Sequence, residues 1–317
     1  MNARELETRL EKYLVVRSAL GYRDYFLRHL LQDFVRYVLA RHHEGPIRAG
    51  TAVDWACSTS GRNGASRLAY RLSAARGFLA HLRASIPDTE VPEVGLLRKS
   101  PRRIPYLFSK SQVLDILTVA STLGPVGSLR PHTYETILGL MASTGIRIGE
   151  AIHLRTADVK LDSDPSRLEI REGKFRKSRV VPLHPTTATK LRNYAFLRAR
   201  MRYGAAQTAF FVSERRKPLC YETLRSWFAR TTRELGMCPA DDRRTPTLHG
   251  LRHHFAVERL TLWSRQGAFV RELAPNLSVY LGHVSPEESY WYLTSTPALL
   301  ATAGESFQHY VGPGGAL

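Results

Sequence analysis

The sequence predicts a mainly α-helical protein of two domains, with a small antiparallel β-sheet confined to the second. Three observations predict it. Apolar residues recur at three- and four-residue spacing over most of the chain, as in helices that bury one face. A single stretch, RLEIREGKFRKSRVVPL over 167–183, alternates and carries β-branched residues around a glycine followed by basic residues, as a hairpin does. Between the two helical regions lies a basic, proline-containing stretch with little apolar periodicity, the composition of a linker.

The first domain, residues 1–87, reads as a helical bundle. Leu6, Leu10, Tyr13 and Leu14, then Phe26, Leu30, Phe34, Val35 and Val38, fit two helices joined near Gly21. Gly45, Pro46 and Gly50 interrupt the pattern; Thr51 is expected to cap a short helix holding Val53 and Trp55, and a longer helix is expected over about 66–84. The linker spans 88–107. Pro87 to Pro105 contain four prolines, Gly95 and the basic cluster Arg98, Lys99, Arg102 and Arg103. Such a strap is either merely solvated or lies on DNA, where each lysine or arginine displaces a condensed counterion.

The second domain, 108–317, opens with a capping-box pattern at Ser109 and Gln112. A second helix runs through Ile137, Leu140 and Met141 toward Thr144, and the hairpin follows. Helices are then expected over 187–202, 221–235 and 249–262, with only the short apolar FFVS near Phe210 between them.

Composition narrows the function. The 317 residues include 46 Lys and Arg against 28 Asp and Glu, a formal charge of +18 with pI near 10.2. A polyanionic partner is the natural reading; solubility alone is the plainer one. An apolar fraction of 43% allows each domain a packed core. No apolar run reaches membrane-spanning length, and MNARELETRLEKYL is charged and helical rather than a signal segment. A soluble cytoplasmic protein with no membrane partner is expected. Cys57, Cys220 and Cys238 are too few and too scattered for a disulfide framework or a CxxC zinc pair.

Three segments carry chemistry. In ASTGIRIGEAIHLRTADV, Arg147 follows a Thr-Gly turn at the start of a helix ending near His153, with Glu150 three residues on. A guanidinium there can grip phosphate bidentately beside helix N-terminal amides, with Glu150 orienting nearby groups. A routine surface pair between Arg147 and Glu150 is the plainer alternative. In TLHGLRHHFA, His249 and Arg252 stand at i and i+3 and should share a helix face. His253 and His254 are further candidates. His249 and His253 lack the glutamate that an HExxH zinc site needs, so no metal is expected. In YLGHVSPEESYWYL, His283 precedes Tyr292 by nine residues, with Tyr290 between them.

Arginine in TGxRxxE, a hairpin lysine after glycine, HxxR, and GH followed nine residues later by tyrosine occur here in that order. This order resembles the catalytic signature of the tyrosine site-specific recombinases of the phage-integrase family, and the resemblance covers essentially the whole chain. It implies a helical core-binding domain followed by a catalytic domain. It also implies that Arg147, Lys174, His249, Arg252 and His283 surround a scissile phosphate that Tyr292 attacks. A phenol with a pKa of about 10 is a weak nucleophile, so the site must take its proton and stabilise charge growing on phosphate. Arg147 and Arg252 can hold the non-bridging oxygens, the role metals play in other nucleases, so no cofactor is implied. Lys174 would protonate the departing 5′ oxygen, with Lys177 in reserve. His249 is the expected proton acceptor and His283 a phosphate donor. Tyr290, two residues from Tyr292, would point elsewhere on a helix.

The family further implies double-stranded DNA recombination sites as substrate and a homotetramer on synapsed DNA, alone or with related recombinases. Apolar residues in the tail, among them Leu299, Leu300, Phe307 and Tyr310, suffice for a short amphipathic helix or an extended arm, and the resemblance implies that 297–311 dock on a neighbouring subunit. A type IB topoisomerase and a catalytically inactive DNA-binding protein are the alternatives. Base readout depends on which side chains enter which groove, so the target sequence is not legible.

Overall fold

The computed structural model describes residues 2–22, 25–41, 45–59, 64–98, 105–171, 178–202, 208–237, 245–267 and 270–282. The chain divides into two compact units, Met1–Arg102 and Arg103–Leu317.

In the first unit four helices enclose one core: α1 (Ala3–Ala19), α2 (Tyr25–Ala40), α3 (Ala49–Cys57) and α4 (Ala65–Arg83). Asn2 caps α1 by accepting from the Glu5 amide at 2.8 Å. Leu6, Leu10, Tyr13 and Leu14 are buried as the helical spacing expects, as are Phe34, Val35 and Val38, and they meet Leu31, Trp55, Phe78 and Leu82. Phe26, expected inside, is instead 57% exposed, and the first turns of α2 bury Leu27 and Leu31. Arg71 is drawn into this core because its charge is shared: Nη2 donates to Trp55 O at 3.0 Å and Asp33 Oδ2 at 3.3 Å, and the guanidinium lies 4.0 Å from the centre of the Trp55 ring.

Two further expectations for this unit change. Helix α3 starts at Ala49, so Thr51 lies inside it rather than capping it. The cap comes from far along the chain, where Glu90 accepts from the Ala49 amide at 3.0 Å and from Arg48 Nη1 at 2.6 Å. A carboxylate satisfies free helix amides as well as a threonine does, and it also suits the dipole. Glu90 belongs to the stretch expected to be a strap. Residues 88–98 instead run along the bundle: Arg76 donates to Pro92 O and Glu93 O at 2.9 and 2.8 Å, and Val91 and Leu97 pack on the core.

In the second unit α5 (Lys110–Ser121) opens with the expected capping box, Gln112 N to Ser109 Oγ at 3.2 Å and Ser109 N to Gln112 Oε1 at 3.0 Å. Helix α6 (Arg130–Thr144) is central and packs on α5, α8 (Pro185–Arg200) and α10 (Leu248–Arg265). The short α7 (Ile148–Ile152) follows. The sheet has the order β1-β2-β3 and is antiparallel throughout, made of β1 (Val159–Lys160), β2 (Arg167–Ile170) and β3 (Arg179–Pro182). Leu168 pairs with Val181 in the hairpin expected from alternation, and Val159 pairs with Leu168 from a third strand too short to show a period. Phe210 and Phe211 are fully buried against Tyr194 of α8. Helix α9 (Tyr221–Glu234) contributes Leu224, Trp227 and Phe228 to the same core. The last described element, α11 (Val270–Leu281), packs Leu277 and Leu281 against Phe255, Ala256 and Leu260 of α10.

Candidate active site

Among the described residues, Arg147, Glu150 and Arg252 of those expected to carry chemistry meet where α6 and α11 end and α7 begins. Helix α6 stops at Gly145, whose φ of +64° is the left-handed conformation that ends helices. A side chain there would also collide, since a Cβ would stand 2.5 Å from Phe255 Cδ1 and 2.8 Å from Leu281 Cδ2. The chain turns through buried Ile146 and launches α7 with Arg147 at its N-cap.

Glu150, on the first turn of α7, organises this corner. Its Oε2 accepts from the Arg147 amide at 2.9 Å and its Oε1 from Arg147 Nη1 at 3.0 Å. Arg179 of β3 adds a bidentate pair, Nη1 to Oε1 at 2.9 Å and Nη2 to Oε2 at 2.8 Å. Burial alone would push this carboxyl up; the hydrogen bonds and charges of Arg179 and Arg147 prevail and hold it at about 2. Only 7% of the Glu150 side chain is exposed, so the pair with Arg147 is not the surface i,i+3 bridge of the plainer alternative. The Arg147 amide, expected to face an anion, is taken by Glu150.

Arg252 projects from α10 into the interior, 1% exposed. It donates from Nη1 to Gly145 O at 2.8 Å and from Nη2 to Leu281 O at 2.7 Å. Arg147 Nη2 donates to Gly282 O at 2.8 Å, and Arg179 Nε to Tyr280 O at 2.9 Å. Three successive carbonyls at the end of α11 therefore each accept from a different arginine. Cations belong at that end, where the helix leaves carbonyls unpaired and its dipole is negative. Gly282 lets the guanidinium come close: its φ is +67°, and a Cβ would lie 3.0 Å from Arg179 Nη1.

His249 stands in the first turn of α10, exposed, with its ring edge-on to His253 at 4.6 Å. His253 and His254 are buried. His254 Nδ1 lies 2.8 Å from Phe108 O, a carbonyl that can only accept, so this histidine carries its proton on Nδ1 and fastens the start of the second unit to α10.

The structure brings together Arg147, Glu150 and Arg252, while His249 lies on the same helix as Arg252. Arg98 is exposed. Lys174, Lys177, His283, Tyr292, Lys99, Arg102, Arg103 and the tail 297–311 lie outside the described residues. Arg179 is the residue that sequence reasoning missed. A signal was present: alternation puts 179 on the same side of β3 as buried Val181, and a charge at an inward position implies a partner. The arrangement gathers three permanent cations with planar donor forks, Arg147, Arg179 and Arg252, at one helix end; guanidinium is the side-chain group whose fork matches phosphate oxygens.

The pattern of the phage integrase family matches residues 107–298. An integrase/recombinase named y4rB from Sinorhizobium fredii is 36% identical over 303 residues, covering 93% of this chain and 94% of its own. Among solved structures, the Tn1549 transposon integrase in complex with transposon right end DNA has a TM-score of 0.62 at 14% identity, over 96% of this chain and 99% of that one. A lambda integrase tetramer bound to a Holliday junction has a TM-score of 0.60 at 18% identity, over 89% of this chain and 78% of that one. At these identities the two structures speak for the fold.

Proposed function

Because this chain belongs to the phage integrase family of tyrosine recombinases, a family of enzymes that cut and rejoin DNA, we propose that it is a site-specific recombinase whose nucleophile is Tyr292. The phenolic oxygen attacks a backbone phosphorus, forming a 3′-phosphotyrosyl bond as the bond to the 5′ oxygen breaks. His249 takes the phenol proton, and Lys174 returns one to the departing 5′ oxygen. Arg147 and Arg252 stabilise the charge that develops on the non-bridging oxygens, with His283 as a further donor. The energy of the phosphodiester stays in the phosphotyrosyl link, so a 5′ hydroxyl from another strand reverses the step without ATP.

The observation that carries this reading is the convergence of Arg147 and Arg252, far apart in sequence, on adjacent carbonyls of Leu281 and Gly282. The next residue is His283, and Tyr292 follows nine positions later. Two guanidinium groups are thereby tethered to the backbone just ahead of His283 and Tyr292 in the sequence.

Double-stranded recombination sites and a homotetramer on synapsed DNA, alone or with related recombinases, complete the proposal, supported by the tetrameric and transposon-bound relatives of the fold. The latter favours the DNA of a mobile element as substrate, handled in the cytoplasm. No described helix is long and apolar enough to cross a membrane. The basic residues Arg98, Lys99, Arg102, Arg103 and Lys177 are proposed to meet DNA, and 297–311 is the segment proposed to dock on a neighbouring subunit.

The test uses nicked suicide duplexes, recovered from a randomised library by binding to the full-length protein, with EDTA present. Wild type is expected to form a covalent protein–DNA adduct and Tyr292→Phe none. Binding without adduct by wild type would favour a non-catalytic DNA-binding protein. Adduct that persists in the variant would move the nucleophile to another tyrosine, with Tyr290 first in line.

A further inference from the structure

Given the proposed cleavage reaction, on which this inference rests, we propose that Arg179 is a positioning residue for strand cleavage: it locks Glu150 to the end of α11, so that Arg147 and the chain entering His283 share one register. Arg179 touches no reacting atom in this scheme. It acts through Arg147.

The surroundings of its guanidinium argue for this role. Bidentate bonds tie it to Glu150, whose carboxylate in turn holds both the side chain and the amide of Arg147. A further bond runs from Nε to Tyr280 O, one residue before the carbonyl held by Arg252 and two before that held by Arg147. The group also comes close to Gly282, where a Cβ would lie within 3.0–3.3 Å of three guanidinium atoms. One planar group thus joins β3, α7 and α11. In sequence Arg179 also stands five residues after Lys174, so the same side chain anchors the strand that leads back to the proposed general acid.

Stability alone does not account for this arrangement. A buried ion pair is often no more stabilising than apolar side chains of the same volume, because both charges lose their water. What a fork of donors in fixed geometry adds is orientation. With Arg179 absent, Glu150 retains only Arg147, and the carboxylate is free to pull that guanidinium toward itself instead of holding it beside Gly282. A displacement of about an ångström in a catalytic group lowers a rate by about 100-fold.

The experiment measures single-turnover adduct formation by the full-length protein on the selected suicide duplexes, together with duplex affinity and melting temperature. Arg179→Gln is expected to bind the duplex as wild type does and to cleave about 10- to 100-fold more slowly. Arg179→Lys, which keeps the charge but cannot span both carboxylate oxygens and the Tyr280 carbonyl, is expected to recover only part of that loss. In an Arg147→Lys background, Arg179→Gln is expected to cost little more, because the group it positions has already been changed.

Wild-type cleavage by Arg179→Gln would overturn the inference. So would a full multiplicative loss in the Arg147→Lys background, or a loss in rate that only follows a loss of duplex binding. If Arg179→Gln does not fold, Arg179→Lys decides: folded with slowed cleavage supports the role, and folded with the wild-type rate removes it. Failure of wild type itself to form adduct on duplexes that it binds would overturn the recombinase reading and this inference with it. Normal wild-type adduct with an unaffected variant would overturn this inference alone.

Discussion

Glu150 carries one negative charge between two guanidinium groups, and its protonation is linked to the stability of the second unit. Its carboxyl, at about 2 against an ordinary 4.5, is depressed by folding. The linkage sign follows: the stabilisation is fully present above pH 4.5 and is lost as pH falls through 2. The difference between those two values corresponds to about 3 kcal/mol. Glu150→Gln keeps the shape and removes the charge. It is expected to lower stability at pH 6 by about 3 kcal/mol, leaving Arg147 and Arg179 facing an amide. Toward pH 2 the gap between variant and wild type should close. Urea unfolding at a series of pH values checks this, and a gap that stays constant across the series would show that charge is not what Glu150 contributes.

At the scale of elements, helix α6 offers a paired test of how the corner is built. Gly145 has a φ of +64° and is walled by Phe255 and Leu281, whereas Gly139, inside the same helix, has only Leu117 Cδ2 within 4 Å, at 3.9 Å. Gly145→Ala should destabilise by about 2–5 kcal/mol, from left-handed strain and from the overpacking that pushes α10 and α11 away. Gly139→Ala should stabilise by about 0.5–1 kcal/mol, since the unfolded chain loses freedom and nothing is crowded. Thermal melts of both variants give the signs, and equal signs would reject the packing argument. Legibility divides along the same line of reach. The Ser109–Gln112 capping box and the hairpin are readable because their partners lie within a turn or across one loop. Arg147, Glu150, His249 and Arg252 are legible as motif members, but the carbonyls that hold the two arginines are not. Arg179 joins partners 29 and 101 positions away, and no periodicity encodes such a distance. Helix α11 is hidden in the sequence because Pro275 lies inside it and removes one of its backbone bonds. It persists because Leu277 and Leu281 are buried against α10. The cap of α3 is misread from local residues for the related reason that Glu90 supplies it from 41 positions away.

At the scale of the whole molecule, the excess of positive charge, +18 over 317 residues, makes binding to any duplex an exchange of protein cations for condensed counterions. Affinity should therefore fall linearly on a log–log plot against salt, with a slope of about −0.9 for each phosphate neutralised. The basic stretch around the unit boundary is where this can be resolved. Residues up to Arg98 run along the first bundle, and those from Pro105 onward belong to the second unit. In sequence, Arg98, Lys99, Arg102 and Arg103 fall at the division between the two units. Replacing all four with glutamine should weaken binding to an arbitrary duplex and flatten the salt slope by about 0.9 for every phosphate that is no longer neutralised. Fluorescence anisotropy of a labelled duplex across a salt series measures both quantities in the full-length protein. A flattened slope would count how many of the four cations meet phosphate. An unchanged slope with unchanged affinity would make the stretch a solvated connection and leave the electrostatic attraction to the two units themselves.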